Sequence, residues 1–163
     1  MEMLFIAFRT LCYVAAFSFL FVWLALRVQV CDQSLKVELP SWTRSLALPF
    51  TVAGACLMLA CVGLFVARGR GTPAVFDPPR QFVAIGPYRF VRNPMYLGGG
   101  FLLAGLGLYQ RSLSILLFSL AFLVFFHLFV VFFEEPGLER RFGESYVAYK
   151  QSVNRWLPKS SRR

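Results

Sequence analysis

The stretch Gly86-Pro87-Tyr88-Arg89-Phe90-Val91-Arg92-Asn93-Pro94-Met95-Tyr96-Leu97-Gly98-Gly99-Gly100 sets two arginines, two tyrosines and two prolines against the start of an apolar run. Each proline removes a backbone donor and steers the residue before it away from helix. The segment therefore reads as an ordered turn that delivers Arg92, Asn93 and Tyr96 to the mouth of a membrane helix. A second polar cluster, Glu134-Glu135-Pro136, stands where the next apolar run ends. The remainder of the chain reads as a scaffold that brings these two clusters together.

That the scaffold lies in lipid follows from composition. Of 163 residues, 58% are hydrophobic and 15% charged, nineteen are phenylalanine, and the mean hydropathy is +0.61. A single small domain cannot hide that much apolar surface from water. The fold class expected is all-α, a polytopic membrane protein of about four transmembrane helices plus a C-terminal amphipathic helix. The spans fall at about 3–26, 46–67, 94–109 and 113–133, all within one domain covering 1–163. The third, near 24 Å as a helix of about 16 residues, is short for a bilayer and is expected to be tilted or to begin in the headgroup layer. After Glu135, Pro136 fits the first turn of a new helix. Leu138, Phe142, Tyr146, Tyr149 and Val153 then recur at spacings of three and four, giving an amphipathic helix over about 136–153. It lies either in the interface or packed over the membrane part.

The formal charge of +9 is carried by loops between apolar runs, where anionic headgroups and the positive-inside bias account for it without nucleic acid. The 68–93 loop holds five bases against one acid, and the segment from Glu134 onward seven against four. Four spans then place both termini and the motif loop in the cytoplasm, so that both polar clusters share one side. Cys12, Cys31, Cys56 and Cys61 have no metal-type spacing and read as small hydrophobes.

Two adjacent carboxylates at the negative end of a helix are disfavoured without a partner. Arg89 and Arg92 are candidate partners, as is a ligand bearing an ammonium or vicinal hydroxyls. His127, the sole histidine, precedes Glu134 by seven residues and is expected on nearly the same helix face, about 10.5 Å away along the axis. It either bonds to a neighbouring helix or lines a substrate pocket. Gly98, Gly99 and Gly100, with Ala104 and Gly107, keep the third helix thin, for helix contact or for a cofactor pressed against backbone. No dinucleotide fingerprint or phosphate loop is present, and one histidine builds no metal site.

Arg92-Asn93-Pro94-Met95-Tyr96-Leu97-Gly98 resembles the motif R-H-P-x-Y-x-G, and Glu134-Glu135-x-x-Leu138 with Phe142-Gly143-Glu144-x-Tyr146-x-x-Tyr149 is similar to a second motif of the same family. Paired in this order over roughly residues 80–158, they resemble the isoprenylcysteine carboxyl methyltransferase family, relatives of membrane phospholipid methyltransferases. The resemblance implies S-adenosylmethionine as methyl donor, held at the cytoplasmic face without a nucleotide-binding fold. By position, Gln81, Phe82, Val83 and Tyr88 would border it, Asn93, Pro94, Met95 and Tyr96 would touch it, and Glu135, with Glu134 beside it, would bind a polar end. Arg92 suits the donor's carboxylate. His127 and Val131 would line the acceptor side. Two positions depart from the family pattern: Asn93 replaces the usual histidine, and Val131 stands where eukaryotic prenylcysteine enzymes carry an arginine. The short chain resembles minimal prokaryotic members. Partners implied are membrane lipids and a hydrophobic or lipid-like acceptor. An NADPH-dependent reductase of sterol-reductase-like architecture and a non-catalytic membrane subunit are the alternatives.

Overall fold

The computed structural model describes residues 2–69 and 84–159. Among them there is no strand, and the chain is built from helices: α1 (Glu2–Val28), a short α2 (Asp32–Leu35), α3 (Thr43–Leu64), α4 (Pro94–Gln110), α5 (Leu113–Phe129), α6 (Glu135–Phe142) and α7 (Glu144–Ser152). Three helical runs are long and apolar enough to cross a membrane: Ala7–Leu35, Thr43–Ala67 and Leu113–Phe142. The protein is a helical integral membrane protein, as its composition requires. The expected count of four becomes three full-length spans and α4, whose 17 residues fall short of them.

α4 is the centre of the bundle because its sequence lets two neighbours close in. A Cβ on Gly54 of α3 would come within 2.7 Å of the Gly98 carbonyl, and one on Gly105 within 2.4 Å of Thr51 Oγ1. On the opposite side, Cβ atoms on Gly100 and Gly107 would meet Leu123 and Leu116 of α5 at 2.7 and 2.9 Å. The glycines of α4 thus serve helix contact on both flanks. Both pairings are antiparallel, and Ser119 Oγ donates to the Gly100 carbonyl at 2.9 Å across the second. α1 then packs on α5 through Phe17 and Phe21, which meet Phe122 and Phe126 in tilted and edge-on contacts. Elsewhere the helices show lipid-facing side chains such as Phe19, Leu48 and Leu59, each at least 70% exposed.

This arrangement gives the bundle two different ends. At one end Asp32 Oδ1 accepts from the Ser114 amide at 2.8 Å, and Arg111 Nε donates to the Leu39 carbonyl at 2.7 Å. Arg111 has φ +56°, which lets the chain turn from α4 into α5. The other end gathers the start of α1, the end of α3, residues 84–93 of the motif loop and the described residues beyond α5, 130–159.

Two features at that end differ from expectation. The helix of α5 does not stop at Glu135 to restart at Pro136: a π-helical turn, Val130–Glu134, joins α5 to α6 in one continuous run to Phe142. A proline ring crowds the carbonyl four residues before it, and the wider π turn just ahead of Pro136 relieves that conflict. The expected single helix over 136–153 is instead α6 and α7, divided at Gly143 with φ +56°. Its stripe is not laid on the interface but folded in: Tyr146, Tyr149 and Val153 are buried and pack with Ala84, Leu138 and Phe142.

With Ser41 beyond one end of the bundle and Ser145 beyond the other, cysteines introduced singly at these positions in a cysteine-free background are expected to react with an impermeant maleimide from opposite sides of the membrane. Labelling of both from one side would break the assignment of ends.

Candidate functional site

The motif loop begins at Gly86, whose φ of +58° and crowding against Leu64 (2.6 Å from a built Cβ) select glycine. Pro87 then starts a short 3-10 turn, Gly86–Arg89, and Pro94 opens α4. Between these prolines Val91, Asn93 and Pro94 are buried, and the loop is held in place by the chain's own C-terminal segment. The Arg92 amide donates to the Asn154 carbonyl at 2.9 Å in a parallel bridge, and Asn93 Nδ2 donates to the Arg155 carbonyl at 3.4 Å.

At the centre of the site is the Glu135 carboxylate, whose side chain is 6% exposed. Arg155 grips it as a fork, Nε to Oε1 and Nη2 to Oε2, both at 2.9 Å. Arg92 Nη1 approaches Oε1 to 3.2 Å and Lys150 Nζ approaches Oε2 to 3.8 Å. Lys150 also pairs with Glu139. The carboxylate holds the Arg155 guanidinium above its usual pKa by hydrogen bonding, against a smaller opposing effect of burial. Arg92 is 91% buried as a side chain, yet its Nε and Nη1 make no hydrogen bond: the contact with Glu135 is ionic and off-axis. Buried donor nitrogens without acceptors are costly in a native structure, and these two are suited to an acceptor oxygen from outside the chain.

The sites named from sequence separate into three groups. Arg92, Asn93, Pro94, Tyr96, Glu134 and Glu135 come together at one end of the bundle. Met95 is half-buried on the first turn of α4 beside them. Tyr96 Oη donates to Glu134 Oε2 at 2.9 Å, while its ring stacks on Phe126 at 4.4 Å. Tyr88 is committed elsewhere. Its phenol partners the Cys61 thiol, its ring meets Phe65 edge-on, and burial followed by Cys61 pushes its pKa well up. Its carbonyl accepts from Tyr149 Oη at 2.6 Å. Gln81, Phe82 and Val83 lie outside the described residues.

His127 precedes the π turn and Val131 lies within it. Because that turn has more residues per revolution than an α-helix, the seven-residue phase expected to align His127 with Glu134 is shifted. Glu134 is held by Tyr96, whereas His127 Nδ1 accepts from Trp156 Nε1 at 2.9 Å. Val131 is half-buried within the turn, next to Phe132 and Phe133, which are 66% and 67% exposed.

Sequence reasoning missed Arg155, Lys150, Trp156 and Tyr149. Arg155 counts among the tail bases and Trp156 passes for an interfacial anchor. The available signal was the stripe Tyr146-Tyr149-Val153, whose burial folds the tail back over the loop.

The fold and the cluster define a helical membrane protein with a buried, charge-dense site at one end of its bundle. Residues 51–145 match the family model described as phospholipid methyltransferase. The match takes in more than half of the chain, which belongs to the phospholipid methyltransferase family, the family of isoprenylcysteine carboxyl methyltransferase-like membrane methyltransferases. The protein is a membrane methyltransferase. No individual curated protein matches it.

Removing one partner from a buried ion cluster leaves the other charges uncompensated, at a cost of about 3–5 kcal/mol. Glu135→Gln is expected to lower stability by about that much. Glu139→Gln, at a side chain 39% exposed, should cost under about 1 kcal/mol. Thermal unfolding in detergent reads both, and equal losses would remove Glu135 from its central place.

Proposed function

We propose that this methyltransferase moves a methyl group from S-adenosylmethionine to a lipid-like or small hydrophobic acceptor, a carboxylate, thiol or amine, at the cytoplasmic face of a prokaryotic membrane. The observation that carries the reading is Arg92, buried beside Glu135 with Nε and Nη1 making no hydrogen bond. A guanidinium with two spare donors suits a carboxylate, which the donor's amino-acid end carries. The donor set fits further: Glu134 offers a carboxylate to an ammonium or to ribose hydroxyls, and Tyr96 presents an aromatic face near it. Glu135 is not free for this purpose, since both its oxygens are taken by Arg155. Its part is to hold Arg92.

When bound, S-adenosylmethionine supplies a methyl on a sulfonium that an acceptor displaces in line. What the chain contributes is orientation and the exclusion of water. Arg92 and Glu134 fix polar ends on the loop side. An amine or thiol acceptor must also lose a proton. His127 is poorly placed for that work: its Nδ1 already accepts from Trp156, so the neutral ring carries its proton on Nε2 and has no free lone pair. Glu134, held at Oε2 by the Tyr96 hydroxyl, keeps Oε1 for one of two tasks, the donor's polar end or the acceptor's proton.

Loop charge supports the cytoplasmic placement of this end and of both termini, the 68–93 loop alone holding five bases. A polar donor then enters from water. A lipid-like acceptor, for which each methylene kept from water is worth about 0.8 kcal/mol, enters from the bilayer beside Val131 and the lipid-facing Phe132 and Phe133.

Purified protein is expected to bind S-adenosylhomocysteine and not NADPH, and Arg92→Ala should weaken that binding by about 1.5–3 kcal/mol. Calorimetric titration decides it. Preference for NADPH would move the chain to reductase chemistry, and failure to bind either would leave the subunit reading. For the acceptor route, Val131→Trp should impair turnover of long-chain acceptors while sparing S-adenosylhomocysteine binding. Loss of cofactor binding in folded Val131→Trp, or intact turnover of every hydrophobic acceptor, would close that route.

A further inference from the structure

The segment after α7 crosses the site as a strap. Within three residues it makes four connections, two to the motif loop and two to the continuous α5–α6 helix. Asn154 accepts from the Arg92 amide, the Arg155 carbonyl accepts from Asn93, the Arg155 guanidinium forks onto Glu135, and Trp156 donates to His127. Val153, 9% exposed, anchors the near end in the tyrosine cluster. The strap begins eight residues beyond the stretch that matches the family model, which ends at residue 145.

The geometry assigns Arg155 a specific task within the cofactor reading above, on which this inference rests. We propose that Arg155 is a positioning residue that keeps the Arg92 guanidinium free for the anionic end of the cofactor. Glu135 is the only acid within ion-pair reach of Arg92 among the described residues. Were both its oxygens available, Arg92 would turn its donors onto them in a paired fork, the arrangement these two groups prefer. Arg155 takes that position instead. Its Nε and Nη2 hold Oε1 and Oε2 at 2.9 Å along the fork direction, which leaves Arg92 the off-axis approach of Nη1 at 3.2 Å, with Nε and Nη1 making no hydrogen bond. The backbone of the same strap fixes where Arg92 can stand, through its amide bond to Asn154. One arginine therefore occupies the carboxylate so that another can remain open.

Full-length protein in detergent carrying Arg155→Ala, Arg155→Lys, Arg92→Ala or both alanine changes tests this by two readouts. The first needs no ligand: amide exchange across residues 88–96 should rise several-fold in Arg155→Ala, with the α3–α4 contact unchanged. The second is S-adenosylhomocysteine affinity, which should fall roughly ten- to hundred-fold in Arg155→Ala. The double variant should be no weaker than Arg92→Ala, because the two residues act through one interaction. Arg155→Lys keeps the charge but not the fork, so it should restore the melting temperature without restoring affinity. Rescue of both by lysine would mean that Arg155 only stabilises, and additive losses would mean that it acts apart from Arg92. Either result overturns the proposal, as does unchanged exchange in Arg155→Ala. Wild-type protein that binds no S-adenosylhomocysteine would overturn the cofactor reading together with this role, whereas tight binding that survives Arg155→Ala overturns the role alone.

Discussion

One buried carboxylate organises the functional end of this protein. Glu135 gathers Arg92 from the motif loop, Lys150 from α7 and Arg155 from the strap that follows it, so two stretches distant in sequence converge on a single anion. In water such pairs are worth little, but at 6% exposure each charge depends on the others for its solvation. Three cations surround Glu135, while Glu139 pairs with Lys150 and Glu134 stands next along the chain on Tyr96. The cluster sits where the apolar bundle ends.

The bundle in turn exists to present this cluster. α4 is closed in by α3 and α5 through glycines, and it carries Tyr96 and the proline-framed loop at its first turn. Beyond α5, Glu134 closes the π turn and Glu135 opens α6, so that turn sets the position of both glutamates. An α-helical continuation would have rotated Glu134 and Glu135 to other bearings. The irregular turn thus converts a steric demand of proline into the placement of two acids on two partners, Tyr96 and Arg155.

Much of this was legible in the sequence. Apolar run lengths gave the spans, loop charges gave an orientation, and two polar motifs named the residues that meet at the site. What was not legible has identifiable causes. A π turn leaves no periodicity of its own, so the phase between His127 and Glu134 was read as α-helical. The split at Gly143 was hidden because an amphipathic stripe can persist across a bend. Arg155 was hidden because a base near a chain end is ordinarily solvated, and only the burial of Tyr146, Tyr149 and Val153 turns it inward. The glycines of α4 were ambiguous between ligand and helix, and the clash distances resolve them in favour of helix.

The length of α4 bears on the lipid as much as on the protein. Its 17 residues rise about 25 Å, against a hydrocarbon core of about 30 Å. Tilt, which accommodates helices that are too long, would only shorten its reach, so the mismatch must be met by the bilayer or by its neighbours. Thinning costs fractions of a kcal/mol per Å, so that a gap of about 5 Å is cheaper to deform than the buried ion cluster is to break. A leaflet dimpled around the start of α4 would bring headgroups down toward Tyr96, and the chemistry would be reached by lipids that never leave their own layer.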